Sequence, residues 1–314
     1  MTVEQLYQEF LDTNDQLSCA IKLYERGCAL FNACSADMDR QTLPVSVECY
    51  LEDISKAGII STEALIEIKN PIGDSLKAIL KGLMNAITWV IEQIVHLFRL
   101  IFDIYFRAQR KLVAQQAFIL QFVDEKMREE FANSTMLTIR YNDFHSFNEQ
   151  VKKLVLILQS STRVVEFSHA NKLFANCEVE LGCRIENTLQ LVNIVDLTTL
   201  EATGVLKALG WDYDKMYTTV GELLTTTHDS TTLKQLNKYV LDKSKELKSK
   251  IEKNISNNAS SAVVTELQEQ MSSQNQIYEF TKSGLVIVAT RIAWMDKYFS
   301  ELIDLMRAIQ KNKK

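Results

Sequence analysis

The chain has 314 residues, with 46% apolar and 24% charged side chains, 9 glycines, 2 prolines and a formal charge of −5. This composition excludes a disordered tract, a collagen and a disulfide mini-protein, each of which needs a different apolar, glycine or cysteine content. Two prolines, where a chain of this length usually carries about fifteen, point to long helices, because Pro lacks the N–H and clashes with the preceding turn.

Val3, Leu6, Tyr7, Phe10, Leu17, Ile21, Tyr24 and Leu30 recur mostly at three- and four-residue steps, which predicts a first helix over 3–33. Pro44 suits the first turn of a short helix that ends near Gly58. Ser61 or Thr62 caps a brief helix over 63–69, closed by Asn70-Pro71. Up to Pro71 the elements are short and interrupted.

From Asp74, a good N-cap, no further proline occurs. Residues 75–132 predict one helix, about 85 Å long at 1.5 Å per residue. Its first half is dense in Leu, Ile, Val, Phe and Trp, and its polar residues fall eleven apart: Lys77, Thr88 and Arg99; Lys81, Glu92 and Asp103; Asn85, His96 and Arg107. Eleven residues in three turns is about 3.67 per turn, close to an undistorted helix. One narrow wet stripe on an apolar cylinder marks a helix surrounded on most sides, the centre of a bundle. Further helices are predicted over 142–173, 176–196, 199–209, 213–228, 231–257, 260–274 and 276–311, with Gly210 and Asn257-Asn258 at ends. The fold class is all-α, an elongated multi-helix bundle with one long central hydrophobic helix.

Lys243, Lys245, Lys248, Lys250 and Lys253 lie within eleven residues and are candidate nucleic-acid contacts, weighed against a simple solvated helix face. A smaller basic group, Lys311, Lys313 and Lys314, closes the chain. The six cysteines form no C-x-x-C and the four histidines no zinc-ligand spacing, so a reducing compartment fits. The N-terminus lacks the basic start and apolar run of a signal peptide.

No nucleophile elbow, zinc-protease helix or Gly-rich phosphate loop occurs. Glu166 and His169 share a helical face but supply at most two metal ligands, and Cys177 and Cys183 do not align on one face of a straight helix. Trp89, Trp211 and Trp294 are expected as packing anchors. The expectation is a protein with no catalytic residue, no metal and no cofactor.

Ser61-Thr62-Glu63-Ala64 has the form Ser-x-Glu before a small residue, followed by Asn70-Pro71-Ile72-Gly73 and a long helix containing Ile87-Thr88-Trp89-Val90-Ile91-Glu92-Gln93-Ile94. This order resembles the internal head proteins of giant tailed bacteriophages over about residues 45–110. The resemblance implies a propeptide, 1–63, cut after Glu63 by a capsid-maturation protease, and an all-helical body, 64–314, that persists in the particle. It also implies a place in the virion interior, reached from the host cytoplasm during assembly. Partners would be other virion proteins or further copies of the chain, with packaged DNA beside them. Ser46-Val47-Glu48 before Cys49 is a poorer candidate cut, and Ser244-Lys245-Glu246 is a chance match inside a predicted helix.

The leading expectation is therefore a non-enzymatic virion structural protein. The alternative is a membrane-active bundle, pore-forming or part of an ejection apparatus, that inserts helix 76–106. In that case Trp89, Ile94, Phe98, Ile101 and Tyr105 form a packing face that becomes a membrane face. Against it, only ten uncharged residues separate Lys81 from Glu92, whereas a span needs about 20. A third reading is an intracellular helical adaptor.

Overall fold

The computed structural model describes residues 1–35, 43–59, 75–121, 139–140, 199–200, 221, 224–225, 230–256 and 261–311. Five long or medium helices dominate them: α1 (Val3–Ser35), α2 (Leu43–Lys56), α3 (Ser75–Gln121), α4 (Ser230–Ser256) and α5 (Ser261–Lys311). The fold is all-α.

Local chemistry sets the ends of the first two helices. Gln5 N–H donates to Thr2 Oγ1 (3.2 Å) and Thr2 N–H donates to Gln5 Oε1 (2.8 Å), a reciprocal capping box that satisfies two otherwise unpaired donors. α2 begins with Pro44 in its first turn, where the missing N–H costs nothing. It ends on Gly58, whose φ of 75° suits a residue without Cβ. Gly58 N–H donates to Ser55 O (2.9 Å) and Ile59 N–H to Ile54 O (3.1 Å), the paired bonds of a Schellman stop.

α3 has 47 residues, about 70 Å of helix, and packs against all four of the others. The eleven-residue polar stripe faces outward: Lys77, Lys81, Glu92, Arg99, Asp103 and Arg107 are exposed, and Asn85, Thr88 and His96 half-buried. The opposite side is core. Ile79, Leu83, Ile87, Val90, Ile94, Leu97 and Ile101 are fully buried. Each such side chain stabilises the fold by about 1.5–3 kcal/mol relative to exposure. All five helices contribute to this one apolar cluster.

The predicted break between 260–274 and 276–311 does not occur: α5 runs unbroken for 51 residues. Ser272-Ser273-Gln274-Asn275 reads as a polar interruption because such side chains often bond back to their own backbone. Here Gln274 and Asn275 bond to neighbouring helices instead. Gln274 Nε2 donates to Ser244 Oγ of α4 (3.2 Å), and Asn275 Nδ2 to Glu25 Oε1 of α1 (2.6 Å). With no Pro or Gly at the junction, nothing then stops the helix.

Residues 199–200, expected to open a helix over 199–209, pair antiparallel with 139–140, Ile139 opposite Leu200 and Arg140 opposite Thr199. β-Branched Ile139 and Thr199 suit that extended pairing. Gly221, Leu224 and Thr225 are helical, within the expected 213–228 helix. The expected helices over 63–69, 142–173 and 176–196, and residues 122–132 of the long one, lie outside the described residues.

Candidate functional site

The lysine cluster sits on α4, and the helix deals its members to different sides. Lys243 Nζ donates to Glu246 Oε2 at 2.9 Å, and Lys250 Nζ lies 3.1 Å from Glu266 Oε1 of α5 and 3.6 Å from Glu246 Oε1. The hydrogen bond from Lys243, followed by the charges of Lys243 and Lys250, holds the Glu246 carboxyl below its ordinary pKa. Lys248 turns the other way and donates to Thr88 Oγ1 of α3 at 2.8 Å. Lys245 and Lys253 are exposed. The five are therefore not one patch.

Of the candidate cleavage residues, Ser61, Glu63 and Ala64 lie outside the described residues, in the sequence between the Gly58 stop and α3. The poorer candidate, Ser46-Val47-Glu48, is inside α2 with Val47 buried, so a protease would have to unwind the helix to extend it. Ser244-Lys245-Glu246 is equally helical, with Ser244 buried.

The candidate packing or membrane face is turned inward. Ile94, Phe98, Ile101 and Tyr105 are buried and Trp89 is half-buried against the core. Among the described residues no helix is long and apolar enough to cross a membrane. Trp294 lies within α5, whereas Trp211, Glu166, His169, Cys177 and Cys183 are outside the described residues. Among the described residues no group of three or more His, Cys, Asp or Glu could hold a metal ion.

A polar layer crosses the core where α1, α4 and α5 meet. Ser244 Oγ donates to Val240 O (2.7 Å), which spends its only proton. Tyr278 Oη, 2.8 Å from Ser244 Oγ, must then be the donor to it, and Gln274 Nε2 donates to the same oxygen. Tyr24 Oη donates to Met271 O at 2.8 Å, its ring edge-on to Tyr278 at 5.6 Å between centroids. Burial pushes the Cys28 thiol up to about 12, against the pull of its hydrogen bond with Tyr24. It also raises the Tyr24, Tyr50 and Tyr278 hydroxyls well above their ordinary range.

Sequence reasoning missed this layer, although one signal was present. The buried positions of α4, Leu233, Leu236, Val240, Leu247 and Ile251, follow helical steps whose next member after Val240 is Ser244. A hydroxyl at a core position needs a buried partner, and Tyr278 and Gln274, four apart on α5, provide two.

A Ser, Lys and Asp also meet between α3 and α5. Lys111 Nζ is 3.1 Å from Asp296 Oδ2 and donates to Ser300 Oγ, while Ser300 Oγ donates to Asp296 O. Burial raises the Asp296 carboxyl, and Lys111 opposes that shift. An ammonium beside a carboxylate cannot act as a base, and the serine proton already points at a carbonyl. The trio ties two helices together and offers no activated nucleophile.

Comparison of the chain with protein-family models, with curated proteins and with solved structures gives no match in any of the three.

Proposed function

We propose that this chain is a non-enzymatic structural protein of a bacteriophage virion, packed inside the capsid through its helix faces and matured by proteolysis after Glu63. The observation that carries the reading is the arrangement around α3. The helix with the Trp- and apolar-rich sequence forms a rod on which α1, α2, α4 and α5 pack, its polar stripe outward and its Thr88 and Lys111 bonded to α4 and α5. The resemblance at Ser61-Thr62-Glu63-Ala64 supplies the biological setting, and the position of that motif between two helices suits a processing site. Partners are other virion proteins or further copies of the chain, with packaged DNA alongside.

Mass spectrometry of the protein in its native particle tests this reading. The expected result is a chain beginning at Ala64 inside the capsid. An intact Met1 or Thr2 would remove the processing step, and absence from purified particles would remove the location.

A further inference from the structure

Lys234, Lys238, Lys245 and Lys248 follow one another on α4 at steps of four, seven and three, so they share one side of the helix. Two contacts fix which side. Lys248 bonds Thr88, and Lys234 Nζ stands 6.0 Å above the Phe102 ring. Position 248 thus faces 88 and position 234 faces 102: the two helices run antiparallel, with this side of α4 laid along α3. Thr88, Arg99, Phe102 and Phe106 occupy the matching side of α3, at steps of eleven, three and four.

We propose that this shared face of α3 and α4 is a binding strip for the phosphate backbone of double-stranded DNA. Five cations line it, Arg99 with the four lysines, against Glu92, Asp103 and Asp242 within it and Glu252 one turn past its end, a net excess of positive charge inside the strip in a protein whose formal charge is −5. The strip therefore stands out in sign from the rest of the molecule. Arg99, Lys234, Lys238 and Lys245 are exposed. The run from 234 to 248 spans about 21 Å, close to six base-pair steps of one strand at about 3.4 Å each. Of its two rings, Phe102 is half-buried under Lys234 and Phe106, 51% exposed, stands open at one end, which is not the ladder of rings on which single strands stack. The strip offers charge without a means of reading bases, so the binding is independent of sequence.

This assignment differs from the lysine cluster seen in the sequence. Lys243 and Lys250 drop out because Glu246 and Glu266 neutralise them on the other flank, while Lys234, Lys238 and Arg99 enter. It deepens the proposed function by naming the surface that meets the genome. The two can fail separately, because the protein could sit in a particle without binding DNA, and DNA binding is measured without particles.

Fluorescence anisotropy of a labelled duplex of mixed sequence, titrated with the full chain at several salt concentrations, tests the proposal. Lys238→Glu/Lys245→Glu is compared with Lys22→Glu/Lys56→Glu, which makes the same change in charge at exposed lysines of α1 and α2. The strip variant is expected to bind at least about ten-fold more weakly and to flatten the log K against log salt slope by about 2. The control is expected to stay within about two-fold. Lys238→Gln/Lys245→Gln, with unchanged helical circular dichroism, should show a smaller loss in the same direction. Equal weakening in both charge-reversed pairs would overturn the proposal. So would failure of the unmodified chain to bind the duplex at low salt, or binding to phosphatidylserine vesicles without binding to the duplex.

Discussion

Ser244 and Tyr278, 34 residues apart in the chain, share a 2.8 Å hydrogen bond in a part of the core where neither side chain reaches solvent. Ser244 accepts from both Tyr278 and Gln274 while donating to Val240 O, so one small hydroxyl satisfies three neighbours. Such a layer fixes how far α4 slides along α5, because any other register leaves these groups unpaired.

Removing that hydroxyl has a defined consequence. Ser244→Ala strands the Tyr278 hydroxyl and the Gln274 amide, and is expected to cost about 1–3 kcal/mol. Tyr278→Phe added to it removes one stranded group, so the double variant should lose less than the two single losses added together. Urea unfolding of the four proteins measures the coupling. Strict additivity would mean the hydrogen bond carries no energy.

Tyr50 of α2 wedges between two glycines, Gly27 of α1 and Gly82 of α3. A methyl built on Gly82 meets Tyr50 Cε1 at 2.9 Å, and one on Gly27 meets Tyr50 Cζ at 2.8 Å and Leu83 Cδ2 at 2.6 Å. Gly82→Ala gains about 1 kcal/mol of helix propensity but overpacks the wedge at a cost of about 1–3 kcal/mol, for a net loss of stability. Tyr50→Phe should do the reverse. Among the described residues the buried Tyr50 hydroxyl has no hydrogen-bond partner, so deleting it should stabilise by about 1 kcal/mol. Urea midpoints of the two variants are expected to move in opposite directions.

The core thiol and hydroxyls predict an alkaline transition. Cys28, raised from 9.0 to about 12 by burial, and Tyr24, Tyr50 and Tyr278, raised above 10.0, keep their protons in the fold after the unfolded chain has lost them. The unfolded state then binds fewer protons, so stability is intact below about pH 9 and falls as pH rises. Each group removes up to about 1.4 kcal/mol per pH unit between its unfolded and folded values. Helical circular dichroism and tyrosinate absorbance should therefore change together and cooperatively. Gradual tyrosinate formation with the helices intact would contradict this.

The same burial makes the cysteines unequal. Cys19 and Cys49 are exposed, and Cys28 is held as a neutral thiol. At pH 8 iodoacetamide should label Cys19 and Cys49 readily and Cys28 only after unfolding, since the thiolate is the nucleophile. Peptide mapping before and after denaturation reads the order.

A cut between α2 and α3 should not by itself free the N-terminal piece. Leu6, Phe10, Leu17, Ile21, Tyr24, Phe31, Tyr50, Leu51 and Ile54 are buried in the common core. At about 1.5–3 kcal/mol each they supply about 14–27 kcal/mol, which at mid-range exceeds the about 4–15 kcal/mol that association costs. With a specific protease site placed over 61–64, the cleaved protein is expected to elute as one species and to separate in denaturant. Separation under native conditions would show that these helices depend on the covalent link.

The sequence by itself determined the helices and their sidedness. Scarce proline, three- and four-residue apolar steps and the eleven-residue polar stripe led to α1 and α3, and Pro44 with Gly58 bracketed α2. These are local properties, fixed by backbone sterics and by which side chains recur on one face. The continuity of α5 was decided elsewhere, because Gln274 and Asn275 find partners on α4 and α1 that no sequence window contains. Tertiary structure likewise chose which lysines face acids and which lie along α3. Residues 243 and 245 are neighbours in sequence, yet a helix turns them about 200° apart, and only the helices packed on either side decide which charge is neutralised.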